Sequence, residues 1–535
     1  MKKIIALVLA LVLCSSLFVG CGKVGGDDIA HSQINTDGEG PLFSEPTKIN
    51  VYTGANETYD IEGNYIDKLL LEQENIDLNH VEMEDGVFLQ MIVDRNLPDI
   101  TYLNANMYGN DYGPEGAFIN ILEHLDKMPN LKKVLKENPG AVEFFLAENG
   151  ALYHIPVIQG PSTANYAFIY RQDIFEKHGM TFPTTRDEFY NTLKQLKQLY
   201  PNSYPFVLRQ MEGNMQGFMY LCMSFGTSLA LTGATQTVMD YNHETEEWYY
   251  GPTSDGMKDM VSFLAQLYKE GLLHKSTITL TSAQWTQAFA MGDDKEGVSF
   301  IGWDKMDRIP AQLQAAGQAL NPDFKLVAGA PIQFNDMGAG ATYESGDASS
   351  YNFLVSSTCK NLDHTLAYID WLYTDEGMIT TNWGKEGETF EYDENGKPRW
   401  LPALLEEKDP QYTRGLAVPS SYGRRDVDAY LQLQDEDHIK DIELANSYAT
   451  LPARPVLTYT ADEQTIYDTY WLALHDYARG ELQKFIIGER DLTTWNTYVK
   501  TVESDTYMFD QLMKIHETAY ARKQAANFDI DELLG

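Results

Sequence analysis

Aromatic, amide and carboxylate side chains stand at the ends of several predicted strands and helices, where a binding site would need them. An aromatic ring stacks on the apolar C–H face of a sugar, while amide and carboxylate groups bond to its rim of hydroxyl groups. Aromatic residues make up 12% of the chain and Tyr alone occurs 33 times. Most of these rings must serve core packing, so we select binding candidates by their position relative to the predicted strands and helices. The candidates chosen by position are Trp303, Trp285, Tyr351, Trp383, Asn56, Asn104, Tyr108, Tyr166 and Asp304.

Residues for catalysis are harder to single out in this sequence. A glycosidase or lyase would need a pair of carboxylates, but among 78 acidic residues spacing cannot identify a pair. The motifs Gly-x-Ser-x-Gly and His-Glu-x-x-His and a Walker phosphate loop are absent, and the 11 His residues show no ligand spacing. No metal or cofactor is therefore predicted. A surface carbohydrate-active enzyme stays as the alternative to a binding protein, with a structural surface protein as a third hypothesis.

The N-terminus has the pattern of an exported, lipid-anchored protein. Two lysines precede an apolar run from Ile4 to Leu13, which is typical of a secretory signal and too short for a comfortable membrane span. Gly20 before Cys21 resembles a lipobox, although Phe18 stands where leucine is more usual. We predict a diacylglycerol on Cys21 and, after it, a polar tether. This anchor would place the protein on the extracytoplasmic face of the cell membrane.

The chain is strongly acidic, with a net charge of −38 that becomes −40 when the two signal-peptide lysines are removed. Nucleic acids and anionic lipid surfaces attract positive protein surface, so binding to either through bulk charge is excluded. Beyond the signal region the sequence contains two cysteines, Cys222 and Cys359, which do not make a disulfide framework. The body is long enough to bury a large core, and we expect it to be a monomer.

Strands and helices alternate in the first part of the body. Lys48–Thr53, Ile76–Met83 and Pro98–Leu103 are predicted strands, and predicted helices separate them. This alternation favours a parallel sheet with helices on its faces, and ligands of such sheets bind outside the carboxyl ends of the strands. Asn56 and Asn104 follow two of those ends, which makes them candidates for ligand contact.

The stretch from Tyr166 to Lys197 carries the most specific pattern of the chain. It reads as a strand, a short helix closed by Gly179, and a second helix that Thr185 and Glu188 begin with a capping box. The pattern Arg-x-Asp-x-x-x-Lys-x-Gly-Met, followed by Pro-Thr-Thr-x-Asp-Glu-Phe, resembles the crossover of family 1 extracellular solute-binding proteins, the receptors of ABC importers. In that family this strand leads from the first lobe into the second.

Further motifs occur in the order of that family. The resembling segments are Asn149–Pro156 for the strand before the crossover, Glu270–Leu273 for a helix end, Tyr351–Ser356 for the return crossover and Trp383–Glu391 for a hairpin of a long subgroup. The strand that ends at Trp303 is similar to one that carries a stacking Trp in receptors for malto-oligosaccharides. The resemblance extends from the signal to about residue 522.

The resemblance implies an α/β, type II periplasmic-binding-protein-like fold. Each of its two lobes would be a mostly parallel sheet flanked by helices, and the ligand cleft would lie between the lobes. The implied boundaries are 1–20 for the signal peptide, 21–46 for the flexible tether, 47–165 with about 352–418 for lobe 1, 166–351 with about 419–522 for lobe 2, and 523–535 for a C-terminal tail.

The resemblance also implies a function: a lipid-anchored receptor that binds an oligosaccharide or other carbohydrate and delivers it to the membrane subunits of an ABC permease, and not an enzyme. Many relatives bind calcium in an acidic loop, but that place reads Tyr200–Pro205 here and lacks the carboxylates, so no calcium is expected.

The ligand itself is expected to be a neutral or lightly charged sugar. A buried ligand carboxylate would need basic partners, and the candidate stretches hold mostly Asn, Tyr and Trp, with Arg171, Arg424 and Arg425 as the exceptions. We expect Trp303 to stack on the sugar and the lobes to close on it by rotation about the two crossovers.

Overall fold

The computed structural model of the protein describes most of the chain beyond the predicted signal peptide. The described residues are 31–35, 38, 40–52, 64–81, 87–104, 108–160, 162–163, 165–209, 216–229, 239–306, 309–336, 338–339, 342–343, 348–407, 410–417, 422–448, 450–451, 455, 457–526 and 528–535. Cys21 and Asn56 lie outside these ranges, so the predictions made for them concern residues that the structure does not describe.

Short strands are distributed along the whole described chain. They are β1 Thr47–Tyr52, β2 Ile76–His80, β3 Ile100–Asn104, β4 His154–Ile158, β5 Tyr166–Arg171, β6 Phe206–Leu208, β7 Asp240–Asn242, β8 Glu247–Tyr249, β9 Ile301–Lys305, β10 Leu326–Ala328, β11 Gln333–Asn335, β12 Gly338–Ala339, β13 Thr342–Tyr343, β14 Ala348–Val355, β15 Phe390–Tyr392, β16 Pro398–Trp400 and β17 Thr450–Leu451.

Helices occur between the strands and dominate the C-terminal part. The α-helices are α1 Tyr65–Glu74, α2 Val87–Asp94, α3 Tyr108–Tyr112, α4 Pro129–Glu137, α5 Pro139–Phe145, α6 Gln172–Lys177, α7 Arg186–Leu199, α8 Gln216–Leu221, α9 Asp255–Lys269, α10 Ser282–Ala290, α11 Ile309–Gln318, α12 Leu362–Leu372, α13 Asp375–Trp383, α14 Pro402–Leu405, α15 Pro410–Arg414, α16 Val427–Leu431, α17 Glu436–Asn446, α18 Ala461–Ile487, α19 Trp495–Val502, α20 Phe509–Ala526 and α21 Ile530–Leu534. Stretches of 3-10 helix occupy Ile121–Lys127, Cys222–Phe225, Gly251–Thr253, Leu492–Thr494 and Asp505–Tyr507. None of the helices in the described ranges combines the length and apolarity that crossing a membrane requires.

The chain folds into two compact units, each assembled from separate parts of the sequence. Unit 1 contains the described residues up to Gln159 together with Ala348–Ala429 and Asp529–Gly535. Unit 2 contains the described residues of Gly160–Asp347 and Tyr430–Phe528. The first two divisions stand close to the predicted lobe boundaries at 165 and 351, whereas the third lies at 429 rather than at about 418.

The C-terminal residues differ from the tail predicted for 523–535. Helix α20 continues to Ala526, and α21 follows as part of unit 1. Leu534 is buried, and Lys136 Nζ donates a hydrogen bond of 2.9 Å to the carbonyl oxygen of Gly535. The end of the chain is therefore packed structure that returns to unit 1.

Unit 1 is built on a sheet with the strand order β2-β1-β3-β14-β4. Strand β1 runs parallel to both β2 and β3, as the alternation of strands and helices predicted. Strand β14 pairs antiparallel with β3 and β4, and Tyr351 lies opposite Asn104 in that register. Ile49 and Val51 of β1 are buried, which matches the two-residue period of a strand with one face on the core.

Unit 2 is built on a sheet with the order β10-β5-β9-β6. Strand β5 pairs antiparallel with β10 and β9, and only the β9–β6 pair is parallel among these described strands. The α/β class is confirmed, but the prediction of a mostly parallel sheet in each lobe is wrong. The reason is that β5 and β14 are the strands by which the chain enters each unit from the other, so no crossover helix within the unit imposes a parallel direction on them.

Local capping explains the helices that follow β5. Gly179 adopts φ +61° just after the C-cap of α6, which confirms the predicted left-handed helix end. The Thr185 hydroxyl accepts from Glu188 N–H at 3.3 Å at the start of α7. The Glu188 carboxylate accepts from Thr184 N–H at 2.9 Å, so the Thr185 cap of the predicted capping box is confirmed and the reciprocal bond goes to the preceding residue instead.

Candidate ligand-binding residues

In unit 2, the carboxyl ends of β6 and β9 lie at the same edge of the sheet as the beginning of β5, because β6 and β9 are parallel and β5 is antiparallel to β9. Asp304 lies on β9 at this edge and is 3% exposed. Arg209, which directly follows β6, places Nη1 3.2 and 3.3 Å from the two carboxylate oxygens of Asp304. Tyr166 begins β5 and is buried. The edge thus combines a half-buried guanidinium, a carboxylate and a phenol.

Trp303 does not offer a face for stacking. Its side chain is 1% exposed, and the ring of Phe168 meets it edge-on at a centroid distance of 4.7 Å. Tyr448 packs against it at 6.1 Å. A ring that protein side chains cover cannot receive a sugar without displacing them, so the stacking role predicted for Trp303 is replaced by a packing role in the core of unit 2.

Trp285 and Trp383 are also packed inside the protein, which corrects the same prediction for them. Trp285 on α10 is 2% exposed and lies against Phe289 at 5.1 Å. Trp383 at the end of α13 is fully buried in unit 1, where its ring lies 4.5 Å from that of Trp400. Its Nε1 donates to Asp426 Oδ2 at 2.8 Å. Both indoles stabilise the fold of their unit.

Tyr108 lies in a partly exposed group of rings in unit 1. The aromatic cluster, as we name it, consists of Tyr52, Phe88, Tyr108 and Tyr112. Tyr52 stacks on Phe88 at 5.7 Å, Phe88 lies 5.4 Å from Tyr108, and Tyr108 lies 6.1 Å from Tyr112. The three tyrosines are half-buried and pack against the core of buried residues around Phe88.

The aromatic cluster lies where sequence reasoning placed a binding edge. Tyr52 is the last residue of β1, so the cluster adjoins the carboxyl end of a parallel strand. Asn104 and Tyr351 are paired at the same edge by the β3–β14 register. The prediction included Tyr108 and missed Tyr52, Phe88 and Tyr112, although the position of Tyr52 at the end of the first strand was a usable signal.

Two of the three arginines that the sequence marked as exceptions pair with acidic side chains of their own unit. Arg171 is fully buried in unit 2, and its guanidinium bonds to Asp173 at 2.7 Å and to Asp293 at 2.9 Å. Arg424 in unit 1 pairs with Asp375 at 3.0 Å, and the neighbouring Arg425 is buried. Because Arg171 is buried with acidic partners, it has a structural role and does not offer a free donor to a ligand carboxylate.

In the part of the chain that the structure describes, no three His, Cys, Asp or Glu side chains are arranged to hold a metal ion. At the place of the family's calcium loop, Lys197 Nζ donates a hydrogen bond of 2.5 Å to the carbonyl oxygen of Ser203. The same ammonium lies 5.0 Å from the centre of the Tyr204 ring. A cation of the chain itself therefore contacts this loop.

Comparison with known protein sequences identifies relatives along most of the chain. The family model for bacterial extracellular solute-binding proteins matches residues 121–379. The fructooligosaccharide ABC transporter substrate-binding protein FusA of Streptococcus pneumoniae is 24% identical over 498 residues, which cover 85% of this chain and 83% of FusA. The lipoprotein LipO of Bacillus subtilis is 24% identical over 409 residues, which cover 72% of this chain and 73% of LipO.

Solved structures share the fold of the protein over nearly its whole length. The alginate-binding protein AlgQ2 without calcium ion matches with a TM-score of 0.71 at 21% identity, covering 89% of this chain and 98% of AlgQ2. An HMO-binding protein of Bifidobacterium longum infantis matches at 0.68 with 18% identity, covering 90% and 99% of the two chains. FusA of S. pneumoniae in complex with kestose matches at 0.67 with 19% identity, covering 90% and 100%. These matches confirm the solute-binding-protein fold predicted from the motifs, and residues 121–379 are similar to the family of bacterial extracellular solute-binding proteins.

Proposed function

We propose that this protein is an extracytoplasmic receptor of an ABC importer that binds an oligosaccharide and delivers it to the permease. The observation that carries the proposal is the similarity over 85% of the chain to a protein named as a fructooligosaccharide ABC transporter substrate-binding protein. Solved structures of the same fold include an alginate-binding protein, an HMO-binding protein and FusA in complex with kestose. The relatives are binding proteins, which supports a receptor rather than an enzyme.

The aromatic cluster is our proposed sugar-stacking surface in unit 1. Its half-buried tyrosines combine an apolar ring with a hydroxyl group, the two features that a sugar face and its rim require. The backbone positions of Asn104 and Tyr351 at the same edge support their place in this site. Within unit 2, the Arg209–Asp304 pair is a separate candidate for contact with sugar, because its donors and acceptors suit sugar hydroxyl groups. Trp303, Trp285 and Trp383 are left out of the site because they are buried.

The pairing of the basic residues supports a ligand of little or no charge. Arg171 and Arg424 already contact acidic side chains, and Arg209 is paired with Asp304. A ligand carboxylate buried near these groups would have to compete with protein carboxylates for the same donors. We therefore propose a neutral or lightly charged oligosaccharide, whose affinity should fall little between low and high salt.

Titration calorimetry with the anchorless chain tests this function. The panel contains kestose, an HMO and an alginate oligosaccharide, and mass spectrometry of each glycan after incubation reports turnover. We expect stoichiometric binding of a neutral member, an unchanged glycan, a higher melting temperature with ligand, and compaction in X-ray scattering. Hydrolysis or elimination of a glycan would support the enzyme alternative, and tight binding of the alginate oligosaccharide alone, weakened by salt, would refute the neutral ligand.

A variant pair tests the site. Tyr108→Ala removes one ring of the aromatic cluster, and loss of a stacking face should weaken sugar binding by roughly tenfold, or about 1–2 kcal/mol. Tyr392→Ala is the matched control, since Tyr392 is an exposed tyrosine of unit 1 on the β15–β16 hairpin. Equal affinities for the two variants, with equal melting temperatures, would remove the aromatic cluster from the proposed site.

A further inference from the structure

One segment of unit 2 contacts both the stretch by which the chain enters that unit and the stretch by which it leaves. The segment, which we name the clasp, consists of helix α17 (Glu436–Asn446), the turn to Tyr448 and strand β17 (Thr450–Leu451). It belongs to the second part of unit 2, which begins at Tyr430.

Asn446 holds the entering chain through both ends of its amide. Its Nδ2 donates to the carbonyl oxygen of Ser162 at 2.8 Å, and its Oδ1 accepts from Asn165 Nδ2 at 2.8 Å. Ser162 and Asn165 lie between the start of unit 2 at Gly160 and the first residue of β5. A single side chain thus bridges two residues of the stretch that would have to change its backbone angles in a domain rotation.

Tyr448 anchors the clasp to the sheet. It is buried, its hydroxyl donates to the carbonyl oxygen of Gly329 at 2.8 Å, and the same oxygen accepts from Phe168 N–H at 3.2 Å. Its ring packs against Trp303. Phe168 lies on β5 and Gly329 directly follows β10, so Tyr448 bonds the clasp to the main sheet of unit 2 and to the residue that follows one of its strands.

The leaving chain is held by the last part of the same segment. Thr450 and Leu451 of β17 pair in parallel with Thr342 and Tyr343 of β13. Strand β13 shortly precedes Ala348, where the chain passes into unit 1. Two chain passages that are far apart in sequence are therefore joined to one short piece of structure.

We propose that the clasp fixes these two passages relative to one another and that Asn446 is a positioning residue for the movement of the units. With both amide bonds present, Ser162 and Asn165 are held in place and movement of the units relative to one another is slow. Without them the stretch samples more backbone conformations, so the exchange becomes faster. The role of this movement in ligand capture rests on the proposed function.

The test uses the ligand-free chain and three variants. Asn446→Ala removes both bonds, and Asn165→Ala removes one of them. Asn202→Ala is the matched control, because Asn202 is an exposed asparagine of unit 2 whose amide donates to a backbone carbonyl, that of Asp294, at 3.4 Å. Hydrogen exchange reports on residues 162–168, and fluorescence energy transfer between dyes on the exposed Gln195 of unit 2 and Glu394 of unit 1 reports on movement of the units.

For Asn446→Ala we expect about tenfold faster hydrogen exchange confined to residues 162–168, and faster exchange between transfer states, at a melting temperature close to that of the control. For Asn165→Ala, both rates should lie between those of the control and those of Asn446→Ala. Equal exchange and dynamics in Asn446→Ala and Asn202→Ala, faster exchange spread over all of unit 2, or a wild-type chain without movement of the units would each overturn the proposal. Because no glycan is present, failure of carbohydrate binding would disprove the proposed function and leave this result standing.

Discussion

Aromatic side chains of this protein fall into two groups that the sequence does not distinguish. Trp285, Trp303 and Trp383 are packed in the cores, whereas Tyr52 and Tyr108 are half-buried at the edge of a sheet. All of them lie at or near the ends of strands or helices, so this property does not separate one group from the other. What separates them is which neighbours cover each ring, and at the residue scale this decides which rings stay accessible for the sugar binding that we propose.

Trp303→Ala should act on stability and not selectively on binding. Removal of a buried indole leaves a cavity next to Phe168 and Tyr448, which costs about 3–5 kcal/mol of unfolding free energy. Urea unfolding measures the loss, and titration calorimetry on the folded fraction measures the affinity. A variant of wild-type stability that binds the sugar tenfold more weakly would restore Trp303 as a stacking residue.

His475 should make the protein sensitive to acid. It is buried on α18, and neither ring nitrogen has a hydrogen-bond partner among the described residues. Burial lowers the pKa of His475 from 6.5 to about 4. Between pH 6.5 and 4, His475 is therefore protonated in the unfolded chain and neutral in the folded chain. The free energy of unfolding decreases as the pH falls through this range.

The variant His475→Phe should remove this loss, because Phe fills a similar volume and does not titrate. We expect it to be more stable than the wild type by about 2 kcal/mol at pH 5 from His475 alone, with a smaller difference at pH 8. Denaturant unfolding at the two pH values measures the difference. A gain that is the same at both values would show that His475 does not titrate in this range.

At the scale of elements, helix α17 is joined to strand β10 through a buried carboxylate. Asp441 Oδ1 accepts from Ala328 N–H at 2.8 Å. Burial, with Asp437 on the same helix and Asp435 just before it, raises the pKa of Asp441 to about 6, although the Ala328 bond and Lys325 act in the opposite direction. The folded chain thus prefers the protonated form, so ionisation of Asp441 lowers stability as the pH rises from 3.8 through 6.

Asp441→Asn should therefore stabilise the protein at alkaline pH. The amide oxygen keeps the bond to Ala328 and carries no charge, and the gain should be about 2–3 kcal/mol at pH 8 and close to zero at pH 4. Thermal unfolding across that range measures it. A destabilised variant at pH 8 would show that attraction to Lys325 outweighs burial of the carboxylate.

The loop at Tyr200–Pro205 should work without calcium. Lys197 bonds to Ser203 O and lies over the Tyr204 ring, so a cation of the chain contacts the backbone there. A chelator should leave the melting temperature and the sugar affinity unchanged. Lys197→Met, by contrast, should lower the melting temperature by a few degrees through loss of a charged hydrogen bond. A fall of several degrees in chelator that added calcium reverses would contradict this expectation.

At the scale of the whole molecule, Cys21 is our proposed attachment to the membrane. Gly20 and Cys21 follow the apolar signal, and the relative LipO is named as a lipoprotein. Cys21→Ser should abolish acylation and release the processed chain into the medium, since one missing lipid removes the anchor. Fractionation of cells with the wild type as control measures this. A variant that stays with the membrane would show that another part of the chain attaches the protein.

Several features could be predicted from sequence because they depend on interactions between residues that are close in the chain. Gly179 ends α6 because a left-handed residue without a Cβ closes a helix at little cost, and Thr185 begins α7 because its hydroxyl bonds to a free N–H group. The period of buried residues in β1 follows from alternation along a strand. Such effects act over a few residues, so the order of elements and the α/β class could be predicted from sequence.

Tertiary structure alone decided the direction of β5 and the burial of Trp303. Strand β5 is antiparallel to β9 because the chain enters unit 2 from unit 1, which local patterns do not encode. Trp303 is covered by Phe168 and by Tyr448, and Tyr448 lies far along the chain on a segment that returns from unit 1. A side chain on a strand points to one of two faces, and only the elements that pack there from distant parts of the chain determine whether that face meets solvent, a ligand or the core.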